Sequence, residues 1–273
     1  MRESETLFAL ALAFYLFECL IHVPVATQAV ARSFRRWRWR PPFVLRSGAG
    51  PAFALTPPWW PGSLTAFGAR GQGRLDRALA AARVADFVRA TRLLRALETA
   101  LFVAVFGGGA LLVWWERAPL ERVFVLMGGL WLCVVIEAIA VQRAQPAAQK
   151  AAWRDVIVAM TSPIAAMRLH DVIGKRLCAD LDGLALAAAL LPEAALFEVM
   201  RPALARARYL GDGDAAALGA LAAESGLDAE LLAAPPERES PDALGWCPVC
   251  RAQFVRLDVE CASDGVALVP YSR

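Results

Sequence analysis

Four residues near the carboxyl end have the types and spacing to hold a metal ion. Cys247 and Cys250 have two residues between them in Trp246-Cys247-Pro248-Val249-Cys250, and Cys261 with Asp264 repeats that spacing further on. Three thiolates and one carboxylate can complete a tetrahedron around zinc, aspartate being an accepted ligand although thiolate is the preferred one in structural sites. Three readings stay open. Cys247, Cys250, Cys261 and Asp264 hold zinc; or the site is degenerate and keeps only a hairpin over 253–259 and 266–271; or Cys247 and Cys250 are a redox pair. A redox pair would need a thioredoxin-like strand and helix around it, a pattern missing here. In either of the first two cases the role is structural or is the docking of a partner, because three thiolates leave no open catalytic position.

A second set is ionisable and lies in apolar surroundings. Glu18 and His22 are four residues apart and would share one face of a helix, Cys19 lies beside them, and Glu137 sits in another apolar run. Counted from the flanking Arg32 and Arg143, His22 and Glu137 differ in depth by about 6 Å at helical rise. Inside a membrane such groups suit a proton relay, an ion ligand or a quinone contact; the plainer alternative is an interhelical hydrogen bond that fixes packing. Glu98 is expected at the inner interface, paired with Arg95 or water. His170-Asp171 is expected as a surface pair, since no nucleophile accompanies it. No catalytic motif is present, which leans away from an enzyme.

The tail resembles the knuckles of zinc-ribbon or rubredoxin-type modules, found as short tails on many bacterial proteins. Cys247 and Cys250 match the first knuckle and Gly265 matches the glycine after the second. Asp264 departs from the pattern, standing where the family's fourth cysteine belongs. The resemblance covers about 25 residues and implies a small β unit with zinc as its cofactor. It carries no implication for the rest of the chain.

These groups must be positioned by a strongly apolar chain. Of 273 residues 58% are hydrophobic, with a mean hydropathy of +0.44, which points to a membrane protein. The net charge of +3 is small and does not suggest a nucleic-acid partner. Six cysteines scattered along the chain do not form a secreted disulfide framework.

The junction that orients the whole is Arg32-Ser33-Phe34-Arg35-Arg36-Trp37-Arg38-Trp39-Arg40, directly after the apolar run 7–26. Positive charge beside a span marks the cytoplasmic side, and tryptophan favours the headgroup layer. Arg35, Arg36, Trp37, Arg38, Trp39 and Arg40 are therefore expected on anionic lipid headgroups. A cleaved signal peptide is the rival for the first run, disfavoured by its length and its acidic start at Glu3 and Glu5.

Residues 1–31 are expected to form the first transmembrane helix, and 32–96 a cytoplasmic basic loop and an amphipathic helix. Pro41 to Gly73 reads as a loop in preference to a hairpin of Phe43–Leu45 with 52–55. In the helix from Arg74 to Arg95, Arg74, Arg77, Arg89, Arg92 and Arg95 fall on one arc, suited equally to lipid or to solvent over a packed apolar side. Residues 97–142 form a transmembrane hairpin whose glycines, Gly107 to Gly109 and Gly128 with Gly129, are expected to meet at equal depth.

A helical cytoplasmic region, 143–234, follows. Its breaks are expected at Ser162-Pro163, Asp182-Gly183, Leu191-Pro192, Gly211 to Gly213 and Ser225-Gly226. Leu181 to Val199 is too interrupted by acids and proline to be a fourth span. A linker, 235–241, leads to the tail, 242–273.

The expected fold is mainly α: a polytopic inner-membrane protein with three transmembrane helices, amino terminus outside and carboxyl terminus cytoplasmic. Its function is expected to be that of a membrane-anchored adaptor or assembly factor whose tail binds a protein partner. The alternative is a small proton- or ion-linked membrane component using Glu18, His22 and Glu137.

Overall fold

In the computed structural model the described residues are 3–271, apart from 20, 25–26, 34–35, 40–42, 46–52, 57–59 and 115–119. The first helix, α1 (Glu3–Glu18), is apolar around most of its circumference. It does not continue to residue 26 as one span. The β-branched and proline-bearing run that follows forms β1 (Ile21–Pro24), because Ile and Val fit a pleated strand and Pro24 suits an edge position. α1 is thus about 24 Å long.

Five more strands follow: β2 (Thr27–Ser33), β3 (Arg36–Trp39), β4 (Phe43–Leu45), β5 (Phe53–Thr56) and β6 (Leu64–Ala69). They form two antiparallel sheets, ordered β1-β5-β4 and β3-β2-β6, with Val30 opposite both Trp39 and Ala66. Two expectations are corrected here. The hairpin of β4 and β5 forms where a loop was expected, and the arginine–tryptophan block is a strand. Its charge drew attention to the membrane surface, yet its alternation has the period of a strand, and Trp37 and Trp39 are half-buried while Arg36 and Arg38 point outward.

Segment 69–74 then crosses the strand-like run 180–182. Ala69 N–H donates to Leu181 O at 2.7 Å, and Asp182 N–H to Arg74 O at 3.0 Å. Gly73 makes this approach possible: a Cβ there would lie 2.2 Å from the backbone nitrogen of Asp182.

The helix α2 (Arg77–Ala90) is capped by Asp76, which accepts from Leu79 N–H at 2.8 Å. It stops at Thr91, and α3 (Arg92–Phe102) continues through a wider π-helical turn, Val103–Gly108, into α4 (Gly109–Trp114). The single amphipathic helix over 74–95 is therefore two helices. Its arginines turn largely to protein: Arg77 donates to Ala188 O and Glu224 O, Arg95 to Gly62 O and Val88 O, and Arg74 pairs with Asp180. Arg83, together with Arg74, holds the Asp180 carboxyl down at about 2.

The long helix α5 (Leu120–Ala144) packs antiparallel beside α3. Among the described residues two helices are long and apolar enough to cross a membrane, Arg92–Leu111 and Phe124–Ala144. Their glycines do not meet. Gly128 and Gly129 face open space, and Gly109 instead receives the ring of Phe8 from α1 at 3.5 Å. The hairpin is sealed lower down, where Leu94, Leu101, Val134 and Ala138 are buried.

Seven helices complete this region: α6 (Trp153–Met160), α7 (Pro163–Ala166), α8 (Leu169–Gly174), α9 (Gly183–Leu190), α10 (Glu193–Leu210), α11 (Ala215–Glu224) and α12 (Ala229–Ala233). The expected breaks hold. Ser162 and Asp182 are caps, Pro192 precedes α10, Gly211 ends it with φ +66°, and Ser225 ends α11. Leu181 to Val199 contains α9 and the start of α10, and α9 is a short core helix packed on β2 and β6. Burial pushes the Cys178 thiol up to about 12, so it stays protonated within this core. The tail adds β7 (Gly245–Trp246), β8 (Gln253–Phe254) and β9 (Val269–Pro270), ordered β8-β7-β9.

Candidate metal centre

The tail is built from two turns of one design. Arg251 N–H donates to Cys247 O at 2.9 Å and Cys247 N–H to Ala252 O at 2.9 Å; Gly265 N–H donates to Cys261 O at 2.7 Å and Cys261 N–H to Val266 O at 2.9 Å. The residue after the second ligand takes a left-handed conformation in both, Arg251 at φ +66° and Gly265 at φ +65°. Gly265 adopts it freely, whereas Arg251 is held there at a cost of about 1–2 kcal/mol. Backbone N–H groups then point at sulfur: those of Val249 and Cys250 lie 3.4 Å from Cys247 Sγ, and those of Ser263 and Asp264 serve Cys261.

This geometry brings Cys247, Cys250, Cys261 and Asp264 together, their ligand atoms within 4.8 Å of one another. Thiolates about 2.3 Å and a carboxylate oxygen about 2.1 Å from a tetrahedral zinc would stand about 3.6–3.8 Å apart. Cys247 Sγ to Asp264 Oδ2 is 3.4 Å, Cys261 Sγ to Asp264 Oδ2 is 3.6 Å, and the sulfurs of Cys250 and Cys261 are 3.5 Å apart. The donor set fits zinc in both size and chemistry. Cys250, Cys247 and Cys261 hold the Asp264 carboxyl below its usual range by hydrogen bonding, so it offers a carboxylate. Burial disfavours a charge on Cys261, but the N–H groups of Ser263 and Asp264 outweigh it and lower its pKa. Three sulfurs and an oxygen would close the coordination sphere of an ion bound there, as in a structural centre.

The tail is tied to the helices. Arg251 donates to Ala234 O at 3.0 Å and lies over the Trp246 ring at 5.5 Å, and Gln253 donates to Glu237 O at 2.7 Å. Residues 235–241 therefore strap the unit in place.

The other predicted residues are placed differently. α1 ends at Glu18 and His22 lies on β1, so the two do not share a helix face. Glu137 is half-buried on α5. Arg36, Trp37, Arg38 and Trp39 lie on β3; Arg35 and Arg40 fall outside the described residues.

The polar cluster that does form is one missed in the sequence. Glu98 is fully buried and accepts from His170 N–H at 2.9 Å through one oxygen and from His170 Nδ1 through the other. His170 Nε2 donates to the backbone carbonyl of Ser63, an acceptor only, so that nitrogen carries a proton. Arg168 pairs with Asp171 alongside, so the cluster gathers two basic and two acidic side chains. Burial disfavours the imidazolium, but Glu98 and Asp171 outweigh it and raise the His170 pKa. The surface pair is thus a core network, and Glu98 bonds His170 in place of Arg95 or water. A glutamate inside the apolar run after Arg95 was the one signal, without any hint of its partner.

The chain matches no family model, no curated protein and no solved structure.

Proposed function

We propose that this protein is a membrane-anchored adaptor that presents a zinc-stabilised module to a protein partner on the cytoplasmic side. The observation that carries the reading is the ligand set of Cys247, Cys250, Cys261 and Asp264, closed to catalysis and sized for one zinc ion. Apolar residues on the same unit stand in water: Leu244, Val255 and Leu257 are 52%, 62% and 45% exposed. A small unit that spends its stabilisation on a metal and leaves these side chains uncovered is suited to docking.

The anchor is α3 with α4, α5, and α1 as a third, shorter helix beside them. The rings of Tyr15 and Phe102 lie 5.0 Å apart at a tilt of 47°, Phe8 lies beside Phe106, and Leu10 and Phe17 face outward. Arg143 in the last turn of α5, with Lys150 and Arg154 after it, favours a cytoplasmic carboxyl side and an outer amino terminus, in contact with anionic lipid. The whole would reside in the inner membrane.

The test uses the full chain purified from membranes. One zinc per chain is expected by elemental analysis, and a photo-crosslinker at residue 257 should capture a discrete protein in cells. Cys247→Ser with Cys250→Ser should lose both while the chain remains in the membrane fraction. A metal-free wild type, or crosslinks unchanged in the double variant, would refute the proposal.

A further inference from the structure

A cavity of about 1570 Å³ lies between β3 and the α10–α11 helices. It exceeds the size of an ordinary small-metabolite pocket, about 300–1,000 Å³, and is open on one side. One wall is the half-buried indoles of Trp37 and Trp39; the opposite wall is aliphatic, with Leu191, Val199, Ala203 and Leu218. An interior of this kind takes up hydrocarbon.

Its charges are unevenly matched. The acids in the lining are all engaged: Asp182 accepts from the N–H groups of Gly71 and Leu184, Asp212 pairs with Arg206, Glu198 with Arg201, and Asp214 caps α11. Arg36, Arg38 and Arg70 also line the cavity, are exposed, and pair with no carboxylate among the described residues. β3 is the edge strand of its sheet, so Arg36 and Arg38, which alternate with the two tryptophans and are exposed, meet the cavity at its rim, and with Arg70 they give it a positive mouth over an apolar wall. Guanidinium binds phosphate and carboxylate in a fork, and indole favours the boundary between polar and apolar surroundings.

We infer that this cavity binds an anionic amphiphile, one acyl chain lying between the tryptophans and the α10 wall and its phosphate or carboxylate headgroup held by Arg36, Arg38 and Arg70. The site is independent of the metal centre, and its occupancy does not depend on zinc. The arginine–tryptophan chemistry expected on a bilayer surface is here folded around a single molecule.

The test is equilibrium dialysis with the full chain in nanodiscs of zwitterionic phosphatidylcholine, with empty nanodiscs subtracted. The probes are dodecyl phosphate, dodecanoate and the uncharged dodecanol. At least one anionic probe should bind saturably, one per chain, and about tenfold or more tighter than dodecanol, weakening as salt is raised. The better of the two anions names the headgroup. Arg36→Gln with Arg38→Gln and Arg70→Gln should weaken binding about tenfold, and Ala203→Phe, which sets a ring into the aliphatic wall, should also weaken it, with zinc content unchanged in both. Dodecanol binding as tightly as the anions, or partition no greater than into empty nanodiscs, would overturn the inference. The comparison of probes on the unaltered protein decides the matter even if a variant fails to fold.

Discussion

Trp131 and Met160 are joined by a hydrogen bond of 3.1 Å from the indole N–H of one to the carbonyl of the other. Gln142, further along the same helix, donates to Ala151 O at 2.7 Å. Together these bonds tie the stretch 151–160, which contains α6, back to α5 in antiparallel order, 131 meeting 160 and 142 meeting 151. The end of α6 thus stands beside the middle of the candidate span Phe124–Ala144. One face of α6 carries Ile157 and Val158, both largely exposed.

If α5 crosses a bilayer, that face is bathed in lipid and α6 with α7 forms a re-entrant segment, its backbone covered by protein. Cysteine placed at Ile157 or Val158 is expected to resist a membrane-impermeant maleimide applied to inside-out vesicles. Lys175→Cys on the exposed surface of the body should react fully. Labelled positions located by peptide mass would settle it, and prompt reaction at residue 157 would put α6 in water.

Glu98→Gln removes the carboxylate from a fully buried imidazolium and should destabilise the fold by about 3–5 kcal/mol. The pair also predicts a pH response. Because His170 titrates higher in the folded state than unfolded, its stabilisation is complete below about pH 6.5 and is lost as pH rises through the raised value. The unfolding midpoint should therefore fall on the alkaline side in the unaltered protein. In Glu98→Gln this alkaline fall should be smaller. Equal slopes in the two proteins by thermal melts would refute the assignment.

Asp264 is the weak member of the metal set. Asp264→Cys restores a fourth soft ligand in a turn already shaped for one and should tighten zinc about tenfold or more in chelator competition. Asp264→Ala should loosen it by a similar factor. Unchanged affinity in both variants would show that the carboxylate is not a ligand.

Gly73→Ala would force a Cβ to within 2.2 Å of the Asp182 nitrogen, with backbone on both sides of the clash. A loss of about 2 kcal/mol or more is expected, because the crossing of 69–74 over 180–182 cannot widen without breaking its hydrogen bonds. Gly219→Ala, in open space on α11, should leave stability the same or slightly raised. Chemical denaturation of the two variants checks the contrast.

What the sequence determined alone was whatever depends on neighbours along the chain. Cys-x-x-Cys and Cys-x-x-Asp each lie in one tight turn, so their spacing was sufficient to propose the ligand set. Ser162, Asp182 and Gly211 act within one helical turn, and their positions predicted the breaks. Long apolar windows marked the two candidate spans, since hydropathy is a property of composition.

Only the tertiary structure decided the rest. Glu98 meets His170 across 72 residues and His170 meets Ser63 across 107, distances over which a single sequence carries no pairing information. The Arg-Trp strand acquired its meaning from β2, which flanks it, and from the α10 wall opposite. Its place after an apolar run, with its arginines and tryptophans, had suggested lipid headgroups, and nothing local predicted the pairing with β2. A side chain's partner is set by which elements pack together, and packing is a property of the whole chain.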